Sequence, residues 1–548
     1  MSAIGASRAP RLLAVAAAAL VGVASVGAAV PAFGGDEGEG PTTNTPIKHL
    51  VVLFQENVSF DHYFGTYPNA MNLTGEKAFH ARPGTPSVNG FSPALMNNNP
   101  NLNPANGAGA TNPFRLSPSQ AATRDQGHGY KAEQQAFDNG VMDLFPEFVG
   151  KAGPPPVGGG ILSTIGLNLG YFDGNTVTAL WHYAQHYAMS DNSYSTGFGP
   201  STPGLLNLVS GQTNGAINIS SVAATFGVTD GGNWSFSVIS DPDPLNDVCS
   251  NVAVLSMEGK NVGDLLSAAG VSWGSFMGGF NLSTVNSDGS TGCTRTSTGL
   301  AGATKDYIPH HAFFQYSAAT SNPTHARPAS VSEIGNSGPA NHNYDIADFY
   351  AAIDAGNFPS VSFLKAPAFQ DGHAGYSDPI DEQTFLVAVV NYLQKHGDWD
   401  STAVVIMYDD SDGWYDHQMS PIVNQSHGTQ DALTGAGLCG SGADSTALPG
   451  VDPGNLHALG RCGYGPRQPL IVVSPWARHN YVDHSITDQT SVLRFVEDNW
   501  LGGQRIGQGS FDAIANSITQ MFNFNQDVDT NSDRTLMLNP STGVPNSQ

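Results

Sequence analysis

Two short acidic strings stand where a β-strand would release its chain into a loop. The run IKHLVVLFQ (47–55) leads directly into Glu56-Asn57, and TAVVIMY (402–408) leads into Asp409-Asp410. Three carboxylates and an amide oxygen at one sheet edge make a hard, oxygen-rich site for a divalent cation. Taken singly, either pair serves equally well as the cap of a following helix. Two pairs at equivalent positions favour the metal. A second pattern, GVSWG (270–274), fits a nucleophile elbow with Ser272 at its centre. An elbow needs a strand before the serine and a helix after it. Here helical spacing (260–269) precedes and the β-prone WGSFM follows, so the order is reversed and a serine esterase is not expected.

The elements that must position these groups alternate. The runs at 47–55, 360–366 (SVSFLKA), 402–408 and 469–475 (PLIVVSP) are short and apolar, as strands buried on both faces are. Helical spacing marks 176–188, 260–270, 346–356, 384–396 and 491–500. The expected fold class is α/β, a doubly wound, mostly parallel sheet flanked by helices and carrying long loop insertions. In such sheets ligands sit beyond the carboxyl ends of the strands, which is where both acidic pairs fall. With 64 Gly and 35 Pro, long loops are expected, and residues 86–124 read as a surface excursion.

Arg8 and Arg11 followed by an Ala-rich apolar stretch and small residues near Ala28 and Ala32 read as a secretory signal peptide over 1–32. That stretch is too weakly hydrophobic for a stable membrane anchor, so a periplasmic or extracellular protein is expected. Residues 33–46 form an acidic linker, 47–510 the catalytic domain and 511–548 a C-terminal tail. The four cysteines, in an exported chain, pair by proximity as Cys249–Cys293 and Cys439–Cys462. None has the CxxC spacing of a thiolate zinc site. A formal charge of −25, from 21 Lys+Arg against 46 Asp+Glu, repels phosphate backbones and argues against nucleic-acid partners. A calcium-binding module would carry DxDxDG-type loops, and none is present.

Longer strings narrow the chemistry. ENVSFDHYFGTYP (56–68) resembles a signature of the bacterial phosphoesterase family that contains phospholipases C and related acid phosphatases. DQGHGY (125–130), SDNSYSTGFGPSTPGLLNLVSG (190–211), YIPHHAFFQY (307–316), QDGHAGYSDP (370–379), YDDSDGWYDHQ (408–418) and SPWARHNYVDH (474–484) resemble further segments of it in the same order. The resemblance implies an alkaline-phosphatase-like fold. It implies one divalent metal ion (Ca, Mg, Mn or Zn) held by Glu56, Asn57, Asp409, Asp410 and the nucleophile. It makes Ser201 that nucleophile, with Thr202 the adjacent hydroxyl. Gly204 stands where phospholipase relatives have Asn. His128, His311 and His373 fall in matching motifs as phosphate ligands or acids, with His310 beside them and Asn57 also facing substrate.

The substrate implied is a phosphate ester, either a small phosphomonoester or a phospholipid head group. Asp409-Asp410 resembles the acid-phosphatase branch more than the Asp-Glu common in phospholipases, so a phosphomonoesterase acting through phosphoserine is the first expectation. Phospholipase C, releasing diacylglycerol and phosphocholine, is the alternative. A choline cage would need converging rings, for which Trp181, Tyr183, Tyr187 and Tyr194 are near in sequence, although their helical spacing also suits core packing. Asp416 and His417 are placed to support the Asp409-Asp410 turn, Asp61-His62 to shape the first loop, and His325 and His342 to serve structure.

Overall fold

Each of the apolar runs becomes a strand at the centre of one sheet. The computed structural model describes residues 42–151, 161–232, 235–441, 459–526 and 535–546. The expected signal segment and residues 33–41 of the linker lie outside them. The sheet strands are β1 (His49–Gln55), β2 (Ala188–Tyr194), β3 (Trp273–Met277), β4 (Asn343–Asp345), β5 (Val361–Lys365), β6 (Thr402–Tyr408), β7 (Arg467–Val473), β8 (Tyr481–Asp483) and β9 (Thr487–Asp488). Their order is β4-β3-β5-β1-β6-β7-β2-β8, with β9 also on β2. Every pairing is parallel except the two made by β7, which runs antiparallel between β6 and β2. The α/β class and the mostly parallel sheet are as expected.

Burial explains why the central runs do not alternate. Leu50, Val51, Val52, Leu53 and Phe54 are all fully buried, as are Ala403 to Ile406 in β6. Each large apolar side chain so buried contributes roughly 1.5–3 kcal/mol. Helices cover both faces: α1 (Phe60–Phe64), α2 (Thr178–His186), α3 (Ser201–Ser210), α4 (Val262–Ala268), α5 (Ile346–Asp354), α6 (Pro379–Lys395) and α7 (Thr490–Trp500). Their starts carry local signals. Asp378 caps α6 by accepting from Ile380 N and Asp381 N, with Pro379 in the first position. Asp345 and Asp348 form a capping box on α5.

β2 is the strand that the sequence conceals. AMSDNSY has no apolar run, yet six of its seven residues are buried, because β7 and the β8–β9 segments flank it on both edges. The described residues after Phe511 pack back onto the body. Asn391 of α6 donates to Leu538 O at 2.7 Å, and Leu538 is fully buried. Both disulfides form as expected, Cys249–Cys293 and Cys439–Cys462. Among the described residues no helix is long and apolar enough to cross a membrane.

Candidate active site

Strand register assembles the acidic edge. Gln55 pairs with Tyr408 across β1 and β6, so Glu56-Asn57 and Asp409-Asp410 leave the sheet side by side. On the other side of β1, Leu53 pairs with Leu364 of β5, which brings Lys365 to the same edge. Asn57 turns out of the strand with φ +62°, a conformation Asn tolerates. Its backbone N–H donates to Asp409 Oδ1 at 2.9 Å, and its Nδ2 donates to Asp412 Oδ1 at 3.1 Å. The turn after β6 is held by its own acids: Asp410 N donates to Asp409 Oδ1 at 2.7 Å and Asp412 N to Asp410 Oδ1 at 2.7 Å.

The serine arrives from β2. Residues 195–200 (STGFGP) cross to the first residue of α3, which is Ser201, and Gly199 at φ +113° makes the turn that only glycine adopts readily. Ser201 Oγ donates to Glu56 Oε2 at 3.0 Å and approaches Asp410 Oδ2 at 3.3 Å. Thr202 faces elsewhere, with its Oγ1 3.4 Å from Tyr316 Oη. Of the two adjacent hydroxyls, Ser201 is therefore the one among the carboxylates. Gly204 does not face the site's open side. A Cβ there would stand 2.3 Å from the carbonyl oxygen of Asp409, so its lack of a side chain lets α3 lie against the β6 turn.

The histidines converge in part. His128 Nδ1 lies 3.1 Å from Asp412 Oδ1 and 3.1 Å from Gln126 O. His373 Nδ1 faces Ala374 O at 2.5 Å, and the His128 and His373 rings are 6.1 Å apart. His311 Nδ1 sits 3.3 Å from Glu56 Oε1. His310 points its Nδ1 at Asp243 Oδ1, 3.3 Å away, rather than at the central acids.

Burial and charge split these groups. Burial first, then Asp409, pushes the Glu56 carboxyl well above its usual range. Asp410 rises for the same two reasons. Burial would also raise Asp409, but Lys365 and the donors around it hold it below its ordinary value. Burial lowers His373 to about 4. It opposes the charge on His128 too, but Asp410 and Asp412 outweigh it and keep that imidazole well above its usual value.

The residues present fit a cation. Asn57 Oδ1, Asp409 Oδ2 and Asp412 Oδ2 are buried oxygens without a hydrogen-bond partner. They stand among buried acids that outnumber the cationic side chains near them, and burying unpaired carboxylates is costly unless a cation joins them. Glu56, Asn57, Asp409, Asp410 and Ser201 Oγ would hold it.

Sequence reasoning missed several participants. Lys365, 1% exposed at its side chain, bonds Glu56 Oε1. Asp371 lies 3.9 Å from His311 Nδ1 and receives its own hydrogen bond from His373 N at 3.0 Å. Glu133 accepts from Gly199 N at 2.9 Å and from Ser411 Oγ at 2.7 Å, tying the serine loop to the β6 turn. Burial raises that carboxyl to about 7. A lysine closing an otherwise apolar strand is the readable signal for Lys365, and Asp371 lies in the QDGHAGYSDP string two residues before His373; Glu133 carries none.

Other singled-out residues are supports. Arg467 is wholly buried, 3.1 Å from Asp61 Oδ1 and 3.1 Å from Asp416 Oδ2, over the Phe60 ring. His417 Nδ1 adds a 2.6 Å contact to Asp61. This network fastens the loop after β1 to the loop after β6. His342 stacks on Trp273 and His325 on Phe280. Trp181, Tyr183 and Tyr187 are core, and Tyr194 stacks on Tyr464, so these rings form no cage. Ser272 stands at the start of β3, bonded to Ser360, at the sheet edge opposite the acids.

Comparison with known proteins identifies the family. A model of the phosphoesterase family matches residues 47–501. The non-hemolytic phospholipase C of Pseudomonas aeruginosa is 24% identical over 495 residues, covering 87% of this chain and 57% of that relative. This chain thus spans little more than half of that protein's length. Phospholipase C A of Mycobacterium tuberculosis is 24% identical over 507 residues, covering 89% of this chain and 79% of the relative. Among solved structures, an alkaline phosphatase superfamily protein from Vibrio parahaemolyticus is similar at a TM-score of 0.25, with 12% identity over 75% of this chain and 78% of that one. With the family model spanning the sheet, the acidic edge and the Ser201 helix together, the chain belongs to the phosphoesterase family.

Proposed function

We propose that the chain is an exported phosphoesterase of phospholipase C type, hydrolysing a phosphodiester through a covalent adduct on Ser201. The observation that carries the chemistry is the Ser201 hydroxyl held 3.0 Å from Glu56 and 3.3 Å from Asp410 at the N-terminus of α3. The phospholipase choice is supported by the relatives named phospholipase C, which match more than four-fifths of this chain. Export is supported by the N-terminal sequence and by two disulfides, which persist in oxidising compartments.

A bound divalent ion would lower the pKa of the serine hydroxyl and offset charge on the phosphoryl group. The chain's own groups do the rest. Ser201 Oγ forms the new bond to phosphorus as the bond to the leaving oxygen breaks, and the hydroxyl proton has Glu56 Oε2 and Asp410 Oδ2 as nearest acceptors. His128, whose charged form Asp410 and Asp412 favour, gives a proton to the leaving oxygen. His373 holds Nδ1–H against Ala374 O, so its Nε2 is the acceptor for a proton from the water that then releases Ser201. Together these imidazoles serve as acid and base.

A second possibility, a phosphomonoesterase of acid-phosphatase type, is favoured by the Asp409-Asp410 pair and by the absence of an aromatic cage among the rings considered above. The deciding experiment follows phosphocholine from phosphatidylcholine and inorganic phosphate from an aryl phosphate, using the protein and its Ser201→Ala variant. Dominant Ser201-dependent phosphocholine release is expected. Release of phosphate alone would replace the phospholipase with the phosphatase.

A further inference from the structure

Glu56 divides its two oxygens between two neighbourhoods. Oε2 receives the Ser201 hydroxyl, whereas Oε1 faces Lys365 Nζ and His311 Nδ1, the latter 3.3 Å away. Behind Oε1, Glu56, His311 and Asp371 offer ligand atoms all within 4.8 Å of one another, and all three residues are buried. A carboxylate–imidazole–carboxylate cluster of that size has the donor set of a zinc-type site.

We propose that Lys365 fills the place of a second divalent ion, so that the site takes one metal where its ligands would otherwise take two. The inference rests on the assignment of one ion to Glu56, Asn57, Asp409 and Asp410. The register of β5 on β1 fixes the ammonium beside Glu56, and the side chain, 1% exposed, has its Nζ 5.5 Å from the Phe54 ring centre. A charged ammonium on Oε1 supplies the positive charge that this carboxylate lacks. It also repels a divalent ion approaching the same oxygen.

Another buried cluster repeats the device: Asp61, Asp416 and His417 surround Arg467, which lies 3.1 Å from each aspartate. At the Asn57–Asp409 side, in contrast, Asn57 Oδ1 and Asp409 Oδ2 keep no partner. The chain thus neutralises one lobe of the acidic edge with its own lysine and leaves the other lobe for an ion.

Metal stoichiometry tests this without reference to activity. Chelator-stripped protein would be loaded with Zn²⁺, desalted and analysed by elemental mass spectrometry. The wild-type chain is expected to retain one equivalent, Lys365→Met two, and Lys365→Met with His311→Ala one. His311→Ala alone is expected to retain one, which keeps the inference testable if Lys365→Met fails to fold. One equivalent in folded Lys365→Met would overturn the role of Lys365 and leave the one-metal assignment standing. Two equivalents in the wild type, or loss of the ion in His311→Ala, would also overturn it, because the cluster would then already be a metal site. No retained ion in the wild type would sink the metal assignment itself, and the inference with it.

Discussion

The hydroxyl of Ser201 donates to Glu56 Oε2 at 3.0 Å across 145 residues of sequence. Glu56 ends β1, and Ser201 begins a helix fed by β2, which lies three strands away in the sheet. The contact therefore depends on how α3 seats against the β6 turn between them.

Gly204 sets that seating. Gly204→Ala would place a methyl group 2.3 Å from Asp409 O, where backbone cannot yield. A loss of about 1–3 kcal/mol is expected from the overpacking, together with a fall in turnover of about tenfold or more as Ser201 leaves the carboxylates. Urea unfolding and kcat on one substrate would check both. Unchanged kcat would show that the helix seat does not govern the nucleophile.

Removing the guanidinium of Arg467 leaves Asp61 and Asp416 buried without their cation. Breaking such a pair costs about 3–5 kcal/mol, so Arg467→Met is expected to lower the unfolding midpoint sharply. Asp61→Asn combined with Arg467→Met should recover part of that loss in a double-mutant cycle. Additive losses would show that the three groups do not act as one network.

Much of this architecture is legible in the residues. β1, β5 and β6 are apolar throughout because they are buried on both faces, and the acids that follow β1 and β6 mark the edge where the site lies. β2 is not legible: its Ser190, Asp191 and Ser193 are buried by neighbours that arrive hundreds of residues later. Ser201 is singled out only by its motif, since nothing in local spacing distinguishes it from Thr202; in the structure it is the Ser201 hydroxyl that stands beside Glu56 and Asp410. Glu133, on the helix Tyr130–Phe137, reads as any helical carboxylate until the fold buries it, and Asp371 lies within QDGHAGYSDP with no spacing that sets it apart.

Glu382 gives the stability of the protein a pH dependence. Tyr63 and Tyr408 donate to its carboxyl at 3.1 and 2.7 Å, and burial raises it to about 8 against the hydrogen bonds of those tyrosines and Gln55, with Asp371 adding to the rise. The folded state thus holds a proton that the unfolded chain releases near 4.5. Its contribution is complete below pH 4.5 and is lost as the pH rises through about 8, with a slope of up to about 1.4 kcal/mol per pH unit between. The Glu382→Gln amide stands in for the protonated carboxyl, so unfolding midpoints of wild type and variant at pH 5, 7 and 9 should lie close at pH 5 and separate as pH rises, with wild type falling below the variant. A constant difference would mean that Glu382 does not titrate in that window.

The central claim is the covalent role of Ser201, and trapping the adduct tests it most directly. Protein mixed with phosphatidylcholine, quenched in acid within milliseconds and digested, should carry phosphocholine on Ser201 when its peptides are weighed. The same experiment with an aryl phosphate should leave phosphate there, and Thr202→Ala should behave as wild type. An adduct on Thr202, or turnover that survives in Ser201→Ala, would contradict the account.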